Sequence, residues 1–359
     1  MSIEFAEFEY QEELSQQRAL FENAFPEHQS EPAASVDHYR WKFHGSPLSP
    51  RSYEYSATEG GRMVGYYAAL PYPYQIGDSR MLAGMVCDVM THSETRGRGV
   101  FTELGRFALT RMQATDLDFL TGYPIRPEVM GGHLRVGWQV AFELPMYLRP
   151  LKANAILKSK RVPWLAPVAN LGIAACQALL RHSSTAKREY RGRTGPPRDL
   201  LHSVAFETFL ERWSASVPNH LIKSPEFYDW RLSAPGTQYQ AFLIYHNDAV
   251  VAAAVGRATR LNDIPSFALL DVMFLKGHED ALPKLYSEVE SEASHRGAEA
   301  IVTMMSRPRA REYRLLRFGF LRSPFTFKLI LRSVNDAVRI ERISAEDNWH
   351  LMWIDSDDL

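Results

Sequence analysis

Two parts of this chain carry the same order of residue signals at nearly the same spacing, and that repeat restricts the fold more than any other feature. Cys87-Asp88-Val89-Met90 is echoed by Leu270-Asp271-Val272-Met273, and Leu134-Arg135-Val136-Gly137-Trp138 by Leu316-Arg317-Phe318-Gly319-Phe320. From Asp to Gly the interval is 49 residues in the first set (88 to 137) and 48 in the second (271 to 319). Upstream, Ala249 to Val255 echoes Met63 to Ala69. Phe227-Tyr228-Asp229-Trp230-Arg231 echoes His38-Tyr39-Arg40-Trp41-Lys42, each with a proline turn behind it (Pro235-Gly236; Pro47). Near-equal spacing through a strand, a helix and a strand implies two copies of one fold, and 359 residues are enough for two domains.

Within the first copy, Gln11 to Phe25 has the apolar spacing of an amphipathic helix that stops at Pro26. Tyr53 to Thr58, Met63 to Leu70 and Met81 to Thr91 read as strands, the first two joined by the turn Glu59-Gly60-Gly61-Arg62. A helical pattern covers Thr102 to Met112. Asp118 to Tyr123 reads as a short strand, Pro127 to Val136 as a short helix, and Gln139 to Leu148 as the strand that finishes the unit.

The third strand runs directly into Glu94-Thr95-Arg96-Gly97-Arg98-Gly99-Val100 and then into the helix. Two glycines one residue apart allow positive φ angles and a close approach to the main chain. The helix start adds unpaired N–H groups and a partial positive charge, with Arg96 and Arg98 beside it. A phosphate-bearing ligand is the expected occupant. A P-loop is excluded, because no Gly-Lys-Ser/Thr follows.

The stretch from Asp88 through Leu104 resembles the acetyl-CoA-binding segment of the GNAT superfamily of N-acetyltransferases, whose loop pattern is Gln/Arg-x-x-Gly-x-Gly/Ala. Both glycine positions match at Gly97 and Gly99, while Glu94 replaces the usual Gln or Arg. The resemblance implies a bulged strand whose residues Val89, Met90 and Thr91 hold the pantetheine arm. It also implies a pyrophosphate site made by Arg96, Gly97, Arg98, Gly99 and Val100, with acetyl-CoA as co-substrate. The tandem arrangement is similar to double acetyltransferase-fold proteins, including mycothiol synthase and the peptidoglycan-branching aminoacyltransferases. In the second copy Lys276-Gly277-His278-Glu279-Asp280 stands where the glycine loop should be, and two acids at a helix start repel phosphate, so the second copy is expected not to bind the cofactor.

Transfer of an acyl group from a thioester to an amine needs positioning, an oxyanion contact and proton traffic. The resemblance places the oxyanion contact on a main-chain N–H of the strand Val86 to Met90. A glutamate that serves as base in one pattern of the family falls at Ala83 and is missing. Asp88 is the nearest carboxylate, although its echo at Asp271 fits a structural hydrogen-bonding group equally. His92 and His133 are the other candidate bases. The tyrosine expected as acid on the helix Pro127 to Val136 is absent, which leaves Tyr123 as the nearest phenol.

The net charge of −1 argues against a nucleic-acid binder. Two distant cysteines, Cys87 and Cys176, fit a reducing compartment, and an acidic start without an apolar core argues for a cytoplasmic protein. No metal site is expected; the closely spaced aspartates Asp355, Asp357 and Asp358 read as a solvated terminus. From Arg149 to Arg198 the chain carries eleven Lys or Arg, including Lys187 and Arg188, against the single acid Glu189. Between Arg161 and Arg181 there is no charge at all. Its prolines and polar residues make 162–180 a poor membrane span, leaving an interdomain helix or one that touches anionic lipid or a lipid-linked substrate.

The expected fold is α/β (α+β), with two tandem GNAT-like mixed-sheet domains. Residues 1–150 would carry the acyl-CoA loop, 151–200 a basic helical linker, and 201–359 the degenerate copy. The expected activity is acetylation of a small-molecule amine, an amino sugar among the candidates. Two alternatives stand beside it, an aminoacyl-tRNA-dependent transferase and a non-catalytic ligand-binding module.

Overall fold

A computed structural model of the chain describes residues 2–29, 31–182, 189–335 and 338–357. Lys187, Arg188 and Asp358 therefore lie outside the described residues. The chain divides into two compact units: Met1–Phe142 with Ser233–Gly236 and Phe327–Ala345, and Glu143–Leu232 with Thr237–Thr326 and Glu346–Leu359.

The first unit runs β1 (Ile3–Glu7), α1 (Tyr10–Ala24), α2 (Val36–Tyr39), β2 (Tyr53–Glu59), β3 (Arg62–Ile76), β4 (Ser79–Thr91), α3 (Val100–Met112), β5 (Phe119–Gly122) and α4 (Pro127–Arg135). Strands β1 to β4 form an antiparallel meander, and β5 joins β4 in parallel after the crossover through α3. On its other side β5 pairs antiparallel with Ile330–Ser333. Helix α3 buries Val100, Leu104, Ala108 and Met112, one residue per turn, against Tyr55, Ala57, Val64 and Tyr67 of the sheet. Gly65 makes this docking close, since a Cβ there would stand 3.0 Å from Val100 Cγ1 and 3.1 Å from Leu104 Cδ2.

The second unit takes in the later part of β6 (Gln139–Pro150), then α5 (Asn154–Ser159), α6 (Ala166–His182), β7 (Arg191–Gly195), α7 (Pro197–Leu200), α8 (Val204–Ser214), β8 (Asn219–Leu221) and α9 (Pro225–Arg231). It continues with β9 (Tyr239–His246), β10 (Ala249–Leu261), β11 (Ile264–Phe274), α10 (Leu282–His295), β12 (Ala300–Met304), α11 (Arg307–Glu312) and the start of β13 (Leu321–Ser333). The order β9-β10-β11-α10-β12-α11 repeats β2-β3-β4-α3-β5-α4, again with antiparallel hairpins followed by one parallel crossover. The expected duplication is present as a mixed α/β fold in each unit.

The unit boundaries differ from the contiguous ones expected. Strand β6 does not finish the first unit's sheet: Met146–Pro150 pairs with β12 in the second unit, while the end of β13 takes the place beside β5. Both strands are apolar stretches at the end of a repeat, so nothing local distinguishes their partners. The expected linker 151–200 is also not wholly helical, because β7 adds an edge strand to β9. No helix among the described residues is long and apolar enough to cross a membrane.

Candidate active site

The site is built where β4 loses its neighbour. Its parallel ladder with β5 stops at the pair Val86–Gly122, so Cys87 to Thr91 has no strand on that side among the described residues. On the other side the register to β3 slips: Tyr66 faces Met90 and Ala68 faces Cys87, so Asp88 and Val89 together oppose Tyr67. This is a β-bulge, and Asp88 adopts φ +46° within it, a left-handed conformation that aspartate tolerates better than most residues. The bulge re-aims Val89 and Met90, and Thr91 Oγ1 next to them is buried with no hydrogen-bond partner. The bulged strand implied by the sequence resemblance is present.

Beyond β4, the loop is shaped by His92 and the two glycines. The His92 N–H donates to Val64, its carbonyl accepts from the Thr95 N–H and hydroxyl, and its Nδ1 accepts from the Glu94 N–H at 3.3 Å. Gly97 and Gly99 have φ +79° and +85°, and open space lies where a Cβ would sit on either. The carbonyl of Gly99 caps α3 by accepting from Thr102 and Glu103. The N–H groups of Gly97, Gly99, Val100 and Phe101 meet no carbonyl among the described residues. Four unclaimed donors at the head of a 13-residue helix fit a pyrophosphate. Arg96 is exposed beside them, whereas Arg98 is paired through both guanidinium ends with Glu59, at 2.6 and 3.0 Å.

The four candidate catalytic side chains occupy different settings. Asp88 is ion-paired with the buried Lys42 ammonium at 2.8 Å. Burial alone would raise its pKa, but Lys42, with help from Arg18 and His38, holds it below the ordinary carboxylate value. His92 is lowered by burial and by Arg62, whose guanidinium touches its Nε2. His133 is wedged edge-on between Phe101, 5.1 Å away, and Trp138, 5.3 Å away, and burial lowers it to about 4. Tyr123 is buried just past the end of β5. Each of the three candidate bases therefore has a lowered pKa and is a weaker base than the same group free in water.

The sequence singled out Asp88 and the loop but gave no sign of Lys42, 46 positions away, which holds the Asp88 carboxylate in its charged form. It also missed the buried pair of phenols, Tyr39 and Tyr66, that donate to one oxygen of Glu54. Only the aromatic cluster around Tyr39 signalled that this segment would be buried.

The second unit closes the corresponding places with its own side chains. The Gly277 N–H donates to Glu279 Oε1 at 3.0 Å, so an internal carboxylate sits where the first unit offers open donors. The edge of β11 beyond its ladder with β12 is taken by a late segment: Val272 N–H points at Met352 Sδ (3.1 Å), and Val272 C=O accepts from His350 Nε2 (2.9 Å). The aspartate echoed from Asp88 is buried in a network with Lys223 (2.9 Å) and Tyr228 (3.0 Å). Asp355, placed in the solvated terminus by the sequence reading, is instead fully buried beside Lys223 because Met352 and His350 anchor its segment.

A bulged strand that runs on past the end of its parallel neighbour leads here into an open double-glycine helix start. Residues 9–141 match the family model of the GNAT acetyltransferase domain. Among curated proteins none matches the sequence significantly. The solved structures it resembles include a GCN5-related N-acetyltransferase from Anabaena variabilis, with 16% identity, a TM-score of 0.63, and 93% of this chain and 73% of that one covered. A probable N-acyltransferase from Enterococcus faecalis aligns at 11% identity with a TM-score of 0.61, over 93% of this chain and 73% of that one. Saccharomyces cerevisiae N-myristoyltransferase with bound myristoyl-CoA aligns at 11% identity with a TM-score of 0.61, over 92% of this chain and 79% of that one. At these identities the likeness is one of fold.

Proposed function

We propose that this chain is an acetyl-CoA-dependent N-acetyltransferase acting on the amine of a small molecule, with the donor held by the first unit and amino sugars the first acceptors to test. The observation that carries the reading is the edge Asp88–Thr91, which runs past the end of β5 and is continuous through the bulge with the unclaimed N–H groups of Gly97, Gly99, Val100 and Phe101. Val89, Met90 and Thr91 would line the pantetheine arm. The main chain of Gly97, Gly99 and Val100, with Arg96, would hold the pyrophosphate.

In the reaction the amine nitrogen attacks the thioester carbonyl carbon, the C–N bond forms, the C–S bond breaks and the thiolate takes up a proton. A main-chain N–H of the bulged strand stabilises the oxyanion. Tyr123, just past β5, is the phenol proposed to protonate the thiolate. Asp88, His92 and His133 shape the bulge, the loop and the head of α3, and their lowered pKa values make each a weak base near neutral pH. The amine therefore arrives neutral by its own equilibrium or loses its proton to water.

Isothermal titration with acetyl-CoA tests the donor, with micromolar binding expected. A screen of amines that follows release of the CoA thiol tests the acceptor. With an accepted amine, kcat/KM should rise with pH in step with the neutral fraction of that amine, without a separate break from an enzyme base. Absence of acetyl-CoA binding would remove the proposal.

A further inference from the structure

Helix α6 of the second unit is apolar around most of its circumference: Ala169 and Ile173 are partly buried on the same side as two polar residues, and apolar residues also face solvent. The polar side chains turned toward the protein are Asn170, whose Oδ1 accepts from the Ala153 N–H at 2.8 Å, and Gln177, whose Nε2 donates to the Pro150 carbonyl at 2.9 Å. Spaced seven residues apart, they lie on one face. The opposite face is apolar and turned to solvent, with Val168 72% exposed and Gly172 and Ala175 exposed on the same side. Leu171, also 72% exposed, flanks that face, and Trp164, 74% exposed, stands in the turn before the helix. A surface helix normally turns a polar face to solvent, and an uncovered apolar patch of this kind marks an interaction site.

Charge decides what covers it. Exposed Lys158, Lys160 and Arg161 stand immediately before Trp164, and no acid lies between Arg149 and Glu189. A tryptophan beside a basic cluster, followed by an apolar helical face, matches the boundary between lipid headgroups and acyl chains. The helix is too short and too interrupted to span. We propose that the segment Lys158–Ala178 docks this protein on an anionic membrane surface, with α6 lying in the interfacial plane and the basic cluster on the headgroups. The inference does not depend on the acetyltransferase reading.

The test is co-sedimentation of the full chain with vesicles of phosphatidylcholine alone and of phosphatidylcholine mixed with phosphatidylglycerol. Binding is expected only to the mixed vesicles, and it should weaken as salt rises. Lys158→Gln and Lys160→Gln should each reduce partitioning about five-fold, and Trp164→Ala together with Leu171→Ser should abolish it. All four positions are exposed, so thermal unfolding of the variants should match the parent protein. No binding to either vesicle would overturn the proposal, as would binding unchanged by the variants. Self-association in vesicle-free solution that is lost on Trp164→Ala would overturn it in favour of a second copy covering the face.

Discussion

Replacing His133 by phenylalanine should change how stability depends on pH while leaving the packing largely intact. The imidazole sits edge-on between Phe101 and Trp138, a place another flat ring can fill. Burial takes its pKa from the ordinary imidazole value of 6.5 down to about 4. A folded pKa below the unfolded one favours the neutral form in the fold. The stability it supports is present above about pH 6.5 and is lost as pH falls toward 4. Between pH 7 and pH 5 this single group should cost the first unit about 2 kcal/mol, because the unfolded chain takes up a proton that the folded one refuses. Urea unfolding of the parent protein and of His133→Phe at both pH values isolates the effect, since every other titrating group is common to the two. The variant should gain about 2 kcal/mol on the parent as the pH is lowered. An unchanged difference between the two proteins would show that His133 is not buried in its neutral form, and the account of its setting would fail.

Other outcomes follow from the same geometry. Gly97→Val or Gly99→Val should cost most of the acetyl-CoA affinity, measured by titration, because a β-branched residue resists the left-handed conformation that the loop needs. Gly277→Val should leave that affinity intact; equal losses at all three glycines would place the donor wrongly. Lys42→Met should lower unfolding stability by about 3 to 5 kcal/mol by leaving the Asp88 carboxylate unpaired, and a loss below about 1 kcal/mol would mean that the pair is solvated. Met352→Ala should destabilise the second unit by about 2 to 5 kcal/mol without altering acetyl-CoA binding. A change in donor affinity would tie that segment to the donor site.

What could be read from the sequence was what local pattern encodes. Periodicity gave α1, β2, β4 and α3 to within two residues at either end and β3 without its last six residues, and the glycine pair gave the loop, because positive φ leaves few residue choices. The echoed aspartates revealed the duplication. What escaped depends on long-range pairing. Lys42 partners Asp88 across 46 positions of sequence, a pairing that no local pattern encodes. The exchange of sheet partners between β6 and β13 is invisible because both are apolar strands. The role of Met352 and His350 was hidden in a segment whose aspartates suggested solvent, although its tryptophans and methionine are buried.

The placement of Ile330–Ser333 beside β5 sets a timetable for synthesis. When Phe142 leaves the ribosome, the glycine loop, α3, β4 and β5 have already been synthesised, but β5 still lacks one neighbour. The missing strand begins 188 residues later, from 142 to 330. At roughly 5 to 20 residues per second, the interval is on the order of ten to forty seconds. Throughout it the nascent first unit presents Phe119-Leu120-Thr121-Gly122 as a bare, apolar strand edge, the kind that pairs with whatever strand is near. A fragment that ends near residue 150 would remain in that state permanently.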